Sequence, residues 1–422
     1  MSTNVTPVAV IVDGYSSANF LPAAFRQRGF EVVHVQGSAE LRPSMIPPDL
    51  SQYADNIVCP STADIDATVE RLAQYRPLAV IAGQEPGVIL ADLLSERLGV
   101  PTNGSAQSLA RRDKYQMIET LRAAGIPCAQ QFKSADPQEL AAWAQHSGGF
   151  PAVVKPLASS SSDNVFICQK SQEVISAARQ ILSARDMFGS PNTEVLIQSF
   201  LDGTEYYVDV VGAEGEFFVC GIWENEKVIV GPGRRIYDRD ILRDPREPGM
   251  DRMTDYLGRV LDALGIKNGP AHAEVIMTAR GPILVEIGAR VNGAMMPTFN
   301  TAAVGSSVAD LIVSAYTEPA DFRKVYGGRC YEKLREAAVY HIPTKLEGFV
   351  ESVDQETVDA ITALETVHTV VVRLKPGMRI RPTVDLMTSP LRVFAVGDDE
   401  AHMARDRASV RVLADRVYMV KS

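Results

Sequence analysis

The sequence predicts a fold of the α/β and α+β classes, arranged in three successive parts. Over roughly the first hundred residues, continuous apolar runs alternate with helical patterns, which is typical of an open parallel sheet covered by helices. A helical pattern follows over 113–125, a strand-rich segment begins near residue 150, and short strands separated by turns predominate from residue 316 onwards. We therefore expect an N-terminal α/β domain over 1–106, a central α+β region over 107–315 and a C-terminal β-rich lobe over 316–422.

Composition and charge indicate a soluble globular protein. Its 42 basic and 52 acidic residues give a net charge of −10, which argues against binding to nucleic acids or anionic membranes, because both require basic surfaces. The sequence shows no secretion signal and no apolar run that approaches the length of a membrane span. Five cysteines lie without metal-binding spacing, so we expect reduced thiols and a cytoplasmic location.

The N-terminal part alternates strands and helices. The predicted elements are, in chain order, strand 8–12, helix 20–28, strand 30–35, strand 78–82 and helix 88–98. Open α/β sheets bind ligands at the carboxyl ends of their strands, and here that edge would hold Tyr15 and Glu85. The glycine-rich G-x-G-x-x-G fingerprint is absent, which argues against a dinucleotide-dependent dehydrogenase.

Two acidic residues face each other across a predicted β-hairpin. The stretch between Glu274 and Glu286 is typical of a strand, a tight turn at 280–282 and a second strand. Residues symmetric about such a turn lie opposite each other, so the two carboxylates come close together. Because like charges repel, the pair predicts a divalent cation with oxygen ligands, whereas a solvated hairpin with an incidental pair is the alternative. Arg290 then adds a positive charge suited to a phosphoryl group or an oxyanion.

A lysine and a serine-rich turn together predict a phosphate-binding segment. Lys155 ends an apolar strand and precedes a proline. The turn that follows contains Ser160, Ser161 and Ser162, whose small side chains leave room for phosphates. Their N–H and hydroxyl groups can donate hydrogen bonds to such a ligand. A flexible surface loop is the alternative interpretation of the serines taken alone.

A short connector between two strands is the candidate nucleoside-binding segment. A buried strand ends near Gln198, and an alternating strand begins at Glu205. Exposed backbone groups of the connector can pair with the edge of a purine. The carboxylate of Glu205 can accept hydrogen bonds from ribose hydroxyls.

These segments, together with Lys114, occur in an order that resembles the ATP-grasp superfamily over roughly residues 107 to 315. The resemblance implies two α+β subdomains that close on ATP, with a lid at about 120–200. It implies that Lys114 and Lys155 touch phosphates and adenine, and that an adenine-binding connector contains Gln198, Phe200 and Leu201. It further implies that Glu205 binds ribose and that Glu274 and Glu286 bind Mg²⁺, with Mn²⁺ as an alternative ion.

One position departs from the family pattern. The family often has an asparagine two residues after the second metal-binding carboxylate, where this chain has Gly288. Either Asn292 or water and phosphate oxygens would then complete the metal site.

Within the superfamily, the segment from Glu286 to Pro297 most resembles the L-amino-acid ligases that form dipeptides. The resemblance implies a ligase that depends on ATP and Mg²⁺, joins two L-amino acids through an acyl phosphate, and releases ADP and phosphate. Arg290 and the backbone N–H of Gly293 would hold the oxyanion that forms when the amine attacks. Two alternatives stay open: a ligase with another acceptor such as a polyamine, and a nucleotide-binding protein without catalytic activity.

The candidate substrate contacts are Glu85, His272, Met295 and Met296, with Tyr15 and Pro297 as further candidates. An acidic residue such as Glu85 can hold an α-ammonium group. Ordinary loop or core roles are the alternative for these positions, and His272 is equally consistent with a hydrogen-bonded strand histidine. The expected partners are small-molecule amino acids, and relatives commonly assemble as homodimers.

Overall fold

The N-terminal part forms a four-stranded parallel sheet with associated helices. The structure is a computed structural model that describes residues 6–43, 45–159, 163–230 and 234–421. The elements of the first part are β1 (Val8–Val12), α1 (Leu21–Gln27), β2 (Glu31–Gln36), β3 (Asp55–Val58), α2 (Ile65–Tyr75), β4 (Ala79–Ala82) and α3 (Val88–Leu98). The strand order is β3-β2-β1-β4, and β1 and β4 are buried throughout, as expected for strands that pack on both faces. The sequence pattern predicted neither β3 nor α2.

A second, antiparallel sheet carries the strand that contains Lys155. Its elements are α4 (Lys114–Ala123), β5 (Gln131–Ser134), α5 (Pro137–Trp143), β6 (Ala152–Pro156), β7 (Phe166–Cys168), α6 (Ser171–Ser183) and β8 (Val195–Ser199). The strand order is β5-β8-β6-β7, and residues of α5, α6, β6 and β8 form a separate apolar core. This unit overlaps the range of 120–200 that we assign to a lid, an assignment that remains a proposal.

The rest of the chain builds one large and one small sheet. Its elements are β9 (Gly203–Ala213), β10 (Glu216–Val230), β11 (Arg234–Leu242), α7 (Met250–Ala263), β12 (Gly269–Thr278), β13 (Gly281–Gly288), α8 (Pro297–Val304), α9 (Val308–Thr317), α10 (Pro319–Tyr326), β14 (Arg329–Cys330), β15 (Glu336–Ile342), β16 (Gly348–Val353), α11 (Gln355–Thr362), β17 (Val367–Val372), β18 (Arg379–Ile380), β19 (Leu391–Gly397), α12 (Glu400–Ala414) and β20 (Tyr418–Lys421). The large sheet has the order β13-β12-β9-β10-β11-β15-β19-β17, with β14 beside β10. The small sheet has the order β18-β16-β20.

The hairpin of β12 and β13 turns at residues 279–280 and not at the predicted 280–282. Gly281 and Pro282 already belong to β13, which is the edge strand of the large sheet. An edge strand tolerates proline because a missing N–H there costs no ladder hydrogen bond. The glycine and proline therefore begin the second strand and do not form the turn.

The C-terminal strands continue the central sheet. β15 pairs with β11, so hydrogen bonds join residues on both sides of the predicted boundary at 315. Phe299 of α8 lies with its ring centroid 5.6 Å from that of Trp223 in β10 and 5.1 Å from that of Phe394 in β19. Because one side chain touches strands that stand apart in the strand order, the sheet curls around α8.

The structure describes all five cysteines, and each carries a free thiol. Three of them, Cys59, Cys168 and Cys220, are buried. Within the part of the chain that the structure describes, no helix is both long and apolar enough to cross a membrane.

Candidate active site

An open cleft lies between the sheet of β5 to β8 and the hairpin of β12 and β13. The described residues that the sequence assigns to ATP or its metal all line it: Lys114, Lys155, Gln198, Phe200, Leu201, Glu205, Glu274 and Glu286. Ser160, Ser161 and Ser162 lie outside the described residues. Apolar side chains supply much of the wall, among them Val153, Val165, Ile167, Ile276 and Val285. Apolar walls with a few charged groups are typical of small-molecule sites.

Glu274 and Glu286 lie directly opposite each other in the hairpin of β12 and β13, as the sequence predicts. Burial and repulsion by Glu286 raise the pKa of Glu274 above its ordinary value. Burial acts on Glu286 in the same direction, but Lys114, with Nζ 2.6 Å from Oε2 of Glu286, holds the pKa of that carboxyl below its ordinary value. Lys114 thus compensates for the charge of one carboxylate, that of Glu286. The pair of Glu274 and Glu286 can therefore accept further positive charge.

Lys155 lies near the end of β6 and is buried in the cleft. Burial and the positive charge of Lys114 lower the pKa of Lys155 to about 8, although three carboxylates of the cleft act in the opposite direction. A further anion beside this buried ammonium group would stabilise its charged form. A phosphate group would supply that anion and would restore the pKa of the lysine.

Glu205 is fixed by three side chains that the sequence analysis did not find. Its Oε2 is 2.6 Å from Nζ of Lys227, and its Oε1 accepts hydrogen bonds from Asn225 at 3.1 Å and Tyr237 at 2.9 Å. Burial opposes ionisation, but these partners, with Lys227 the strongest, hold the pKa of Glu205 below its ordinary value. Only the pairing of β9 with β10 and of β10 with β11 brings these residues together. Lys227 and Tyr237 also line the cleft.

Arg290 binds the acidic residue that the sequence analysis assigned to substrate. Its Nε donates to Oε2 of Glu85 at 3.0 Å, and its Nη1 donates to the carbonyl of Val291 at 2.9 Å. Oε1 of Glu85 accepts from Nη1 of Arg112 at 3.3 Å. The structure therefore shows Glu85 as a partner of two arginines, whereas its contact with an ammonium group stays a prediction.

A hydrogen-bonded network connects His272 to the loop after β13. Its Nδ1 lies 2.7 Å from Oδ1 of Asp209, whose Oδ2 accepts from Nδ2 of Asn292 at 3.1 Å. Oδ1 of Asn292 accepts from the N–H of Ala294 at 2.8 Å. His272 is thus a partnered strand histidine, and both ends of the Asn292 amide are engaged.

The remaining substrate candidates differ in their surroundings. Met295 is 5% exposed and packs in the main apolar core, which favours the core role over the predicted substrate contact. Met296 is half-buried against the same core, and Tyr15 is fully buried. Gly293 is exposed, and a β-carbon there would meet no atom within 4 Å. The backbone at Gly293 is therefore open to an approaching group.

Comparison with known proteins agrees with this arrangement. Residues 148–298 match a family model described as an ATP-grasp domain. Dapdiamide A synthase from Enterobacter agglomerans is 32% identical to this chain over 97% of its length, and the match covers 96% of the synthase. The chain belongs to the ATP-grasp family. An L-arginine-specific L-amino acid ligase from Bacillus subtilis is 23% identical over 71% of this chain and 73% of its own length.

Solved structures share the ATP-grasp fold over nearly the whole chain. The crystal structure of an L-amino acid ligase from Bacillus licheniformis superposes with a TM-score of 0.76, at 19% identity and with 100% of both chains covered. An N5-carboxyaminoimidazole synthetase from Staphylococcus aureus, complexed with ADP, gives a TM-score of 0.66 at 14% identity and covers 96% of this chain and 98% of its own.

The carboxylate pair of this ATP-grasp protein suits Mg²⁺. Among the described residues, no group of three or more histidine, cysteine or acidic side chains is placed to hold a metal ion. Glu274 and Glu286 are therefore the candidate protein ligands, and their unbalanced charge favours a cation. Mg²⁺ commonly takes one or two carboxylates and fills its other positions with water and substrate phosphates. Because Asn292 is engaged at both ends, water and phosphate fit the metal-ligand position that Gly288 leaves without a side chain better than Asn292 does.

Proposed function

We propose that this protein is an ATP- and Mg²⁺-dependent ligase that joins two L-amino acids into a dipeptide through an acyl phosphate, with release of ADP and phosphate. One observation carries the proposal: Glu274, Glu286, Lys114 and Lys155 converge in one cleft. The ATP-grasp family and the similarity to proteins named as L-amino acid ligases support an ATP-dependent carboxylate–amine ligase in general. The similarity to dapdiamide A synthase supports the same reaction type.

The lysines of the cleft act on the phosphates of ATP. Lys114 and Lys155 donate to phosphate oxygens and offset the charge that develops during transfer of the γ-phosphoryl group. Glu274 and Glu286 would hold Mg²⁺, or Mn²⁺ in its place, and such an ion would supply positive charge that offsets the charge of the phosphates. Glu205 accepts hydrogen bonds from the ribose, since Lys227 and Tyr237 hold its carboxylate ionised and in place.

Arg290 and Gly293 act on the carboxylate that is activated. Glu85 fixes the Nε side of the Arg290 guanidinium, so the charge of Arg290 is held in one orientation. This arrangement stabilises the negative charge on the former carboxylate when the amine attacks it. The backbone N–H of Gly293, at a position where a β-carbon would meet no atom within 4 Å, supplies a second donor to the same oxygen. No covalent bond to the enzyme is required.

The proposal is tested by measuring phosphate release from Mg-ATP with the twenty L-amino acids, singly and in pairs, and by mass spectrometry of the products. Release that depends on amino acids and a product with a dipeptide mass are the expected results. Release only with another amine would move the activity to a different acceptor. Tight binding of Mg-ATP without release under any condition would leave a nucleotide-binding protein.

A substitution ties the activity to the carboxylate pair. Glu286→Gln removes one metal ligand and the charge that holds Lys114, so amino-acid-dependent ADP release should be lost. Glu194→Gln is the matched control, since Glu194 pairs with Lys133 at 2.6 Å and is not among the residues that line the cleft. Full activity of Glu286→Gln would contradict the proposed function.

A further inference from the structure

A second group of charged residues lies on the same sheet face as the nucleotide-binding carboxylates. Cross-strand partners share a face, and side chains two positions apart on a strand do so as well. Glu274 faces Tyr207, and Glu205, two residues before Tyr207, faces Asn225, which in turn faces Asp240. The face therefore extends from the metal-binding end of the sheet, across β10, to β11.

The same face continues through β15 to β19. Asp240 faces Val339, and His341, two residues further along β15, faces Arg392 on β19. We call Asp240, His341 and Arg392 the Arg392 cluster. The sheet curls around Phe299, which contacts both Trp223 of β10 and Phe394 of β19. Burial raises the pKa of the Tyr207 hydroxyl, and Asp240 and Arg392 are among the charges that act on that pKa, so the cluster lies close to Tyr207.

The cluster contains polar atoms without partners. Nε2 of His341 lies 2.8 Å from Oδ2 of Asp240, but Oδ1 of Asp240, Nδ1 of His341 and Nε of Arg392 are buried and have no hydrogen-bond partner among the described residues. Asp240 is only 6% exposed and His341 only 3%. Native proteins satisfy nearly all such buried groups, so three unsatisfied groups in one place call for a bound partner.

The donor or acceptor character of these atoms indicates the chemistry of that partner. When Nε2 of His341 donates to Asp240, Nδ1 is an acceptor, and the free oxygen of Asp240 is a second acceptor. Arg392 offers donors only. Burial and the neighbouring charge of Arg373 lower the pKa of Arg392 to about 10, which shows that its charge is not fully compensated. A ligand with an ammonium group and a carboxylate satisfies both acceptors and the donor.

We propose that the Arg392 cluster binds the amino acid that supplies the amine, with its α-carboxylate on Arg392 and its α-ammonium group on Asp240 and His341. This inference rests on the proposed ligase function. The carboxylate that becomes phosphorylated must lie beside the ATP phosphates, near Glu286 and Lys114. A carboxylate on Arg392 is a different one, and it therefore belongs to the acceptor.

The network around Tyr207 supports the assignment. The ring centroid of Tyr207 lies 5.3 Å from that of His272, which is joined through Asp209 to Asn292. Asn292 lies one residue before Gly293 in the loop that would hold the oxyanion. Tyr207 also stacks on Trp223, with ring centroids 5.9 Å apart. The acceptor amine would thus lie next to an aromatic side chain that packs on the hydrogen-bonded network leading to the loop of the reacting carboxylate.

The test compares three acceptors with one donor amino acid and Mg-ATP: the acceptor amino acid, its α-carboxamide and hydroxylamine. Hydroxylamine carries no carboxylate and traps the activated donor as a hydroxamate. In the unsubstituted protein, kcat/KM should be at least tenfold higher for the amino acid than for the carboxamide. Arg392→Met should lower the ratio of kcat/KM for the amino acid to that for hydroxylamine at least tenfold, and Asp240→Asn should raise the KM of the amino acid.

Arg405→Met is the matched control, because Arg405 is an exposed arginine of α12, and its ratio should equal that of the unsubstituted protein. An unchanged ratio in Arg392→Met, or equal use of the amino acid and its carboxamide by the unsubstituted protein, would overturn the assignment and leave the cluster to bound water. The comparison of the amino acid with its carboxamide needs no substitution, so poor folding of a variant does not prevent a decision. Failure to form either a dipeptide or a hydroxamate would instead reject the proposed ligase function.

Discussion

Gly288 and Glu85 share a space that holds only one side chain: a β-carbon at position 288 would lie 2.7 Å from Oε2 of Glu85. The same β-carbon would lie 3.2 Å from Nε of Arg290. Because Gly288 has no side chain, there is room beside it for the ion pair of Glu85 and Arg290. The glycine at residue 288, where the family often has asparagine, therefore goes together with Glu85 at this site.

The first prediction concerns this arrangement. Gly288→Asn should lower the free energy of unfolding by about 1–3 kcal/mol, as overpacking in a filled site does. It should also reduce amino-acid-dependent phosphate release, because Glu85 can no longer hold Arg290 in place. Thermal denaturation and the release assay measure the two effects. Gly293→Ala is the stability control, since a β-carbon there meets nothing within 4 Å.

A second substitution separates crowding from other causes. Glu85→Ala removes the carboxylate that a side chain at position 288 would meet. Gly288→Asn should therefore lower the free energy of unfolding less in the Glu85→Ala background than in the unsubstituted protein. An equal loss of stability in both backgrounds would show that the two residues do not compete for space.

The second prediction concerns the ribose. Glu205→Gln keeps the shape of the side chain but removes the charge that pairs with Lys227. We expect a KM for ATP that is raised about tenfold or more, with a smaller change in kcat, because the lost contact serves binding more than the chemical step. The preference for ATP over 2′-deoxy-ATP should fall as well. Glu194→Gln, whose residue is not part of the cleft lining, should change neither quantity.

The third prediction concerns a buried ion pair. Arg111 is fully buried and donates to Asp92 through Nε at 3.2 Å and Nη2 at 2.8 Å, and its Nη1 donates to the carbonyl of Leu264 at 2.8 Å. Arg111→Met should lower the free energy of unfolding by about 3–5 kcal/mol, because it leaves a buried carboxylate without its partner. Denaturant unfolding gives this value.

The control for Arg111 is an exposed pair of the same kind. Arg97 and Asp66 are 2.6 Å apart, but their side chains are 55% and 80% exposed. Such surface pairs contribute little, so Arg97→Met should leave the free energy of unfolding almost unchanged. Similar losses in both variants would show that burial does not determine the effect.

The fourth prediction concerns pH. Because the pKa of Lys155 is about 8 in the free protein, its ammonium form is lost as pH rises through that value. Affinity for ATP should therefore fall above about pH 8, and binding there should take up a proton. Calorimetry in two buffers of different ionisation enthalpy, between about pH 7 and 9, measures this uptake.

Arginine provides the control for this titration. Lys155→Arg stays protonated over the whole range, so its ATP affinity should not change with pH in that way. In the absence of ATP, the free energy of unfolding should change with pH in the opposite direction to the ATP affinity. An unfolded lysine binds more protons than the folded one between the lowered and the ordinary pKa, so the free energy of unfolding should rise with pH in that window. A pH-independent affinity of the unsubstituted protein would contradict the role of Lys155.

Features of single elements were predictable from the sequence. The opposition of Glu274 and Glu286 follows from the alternation of a strand and the symmetry of a hairpin, and the structure confirms it. The first strand was predicted because a continuous apolar run indicates burial on both faces. Lys155 was found through its place at the end of such a strand. Each of these inferences needs only neighbours that lie close together along the chain.

Contacts between distant elements came only from the tertiary structure. Glu85 and Arg290 are 205 positions apart, and no local pattern links the end of β4 to the loop after β13. Lys227 and Tyr237 reach Glu205 through the register of β9, β10 and β11, and that register places the Arg392 cluster on the same face. Spacing along a chain decides which face of an element a side chain occupies. The packing of whole elements decides what that face meets, because burial and hydrogen bonding are satisfied across the fold as a whole.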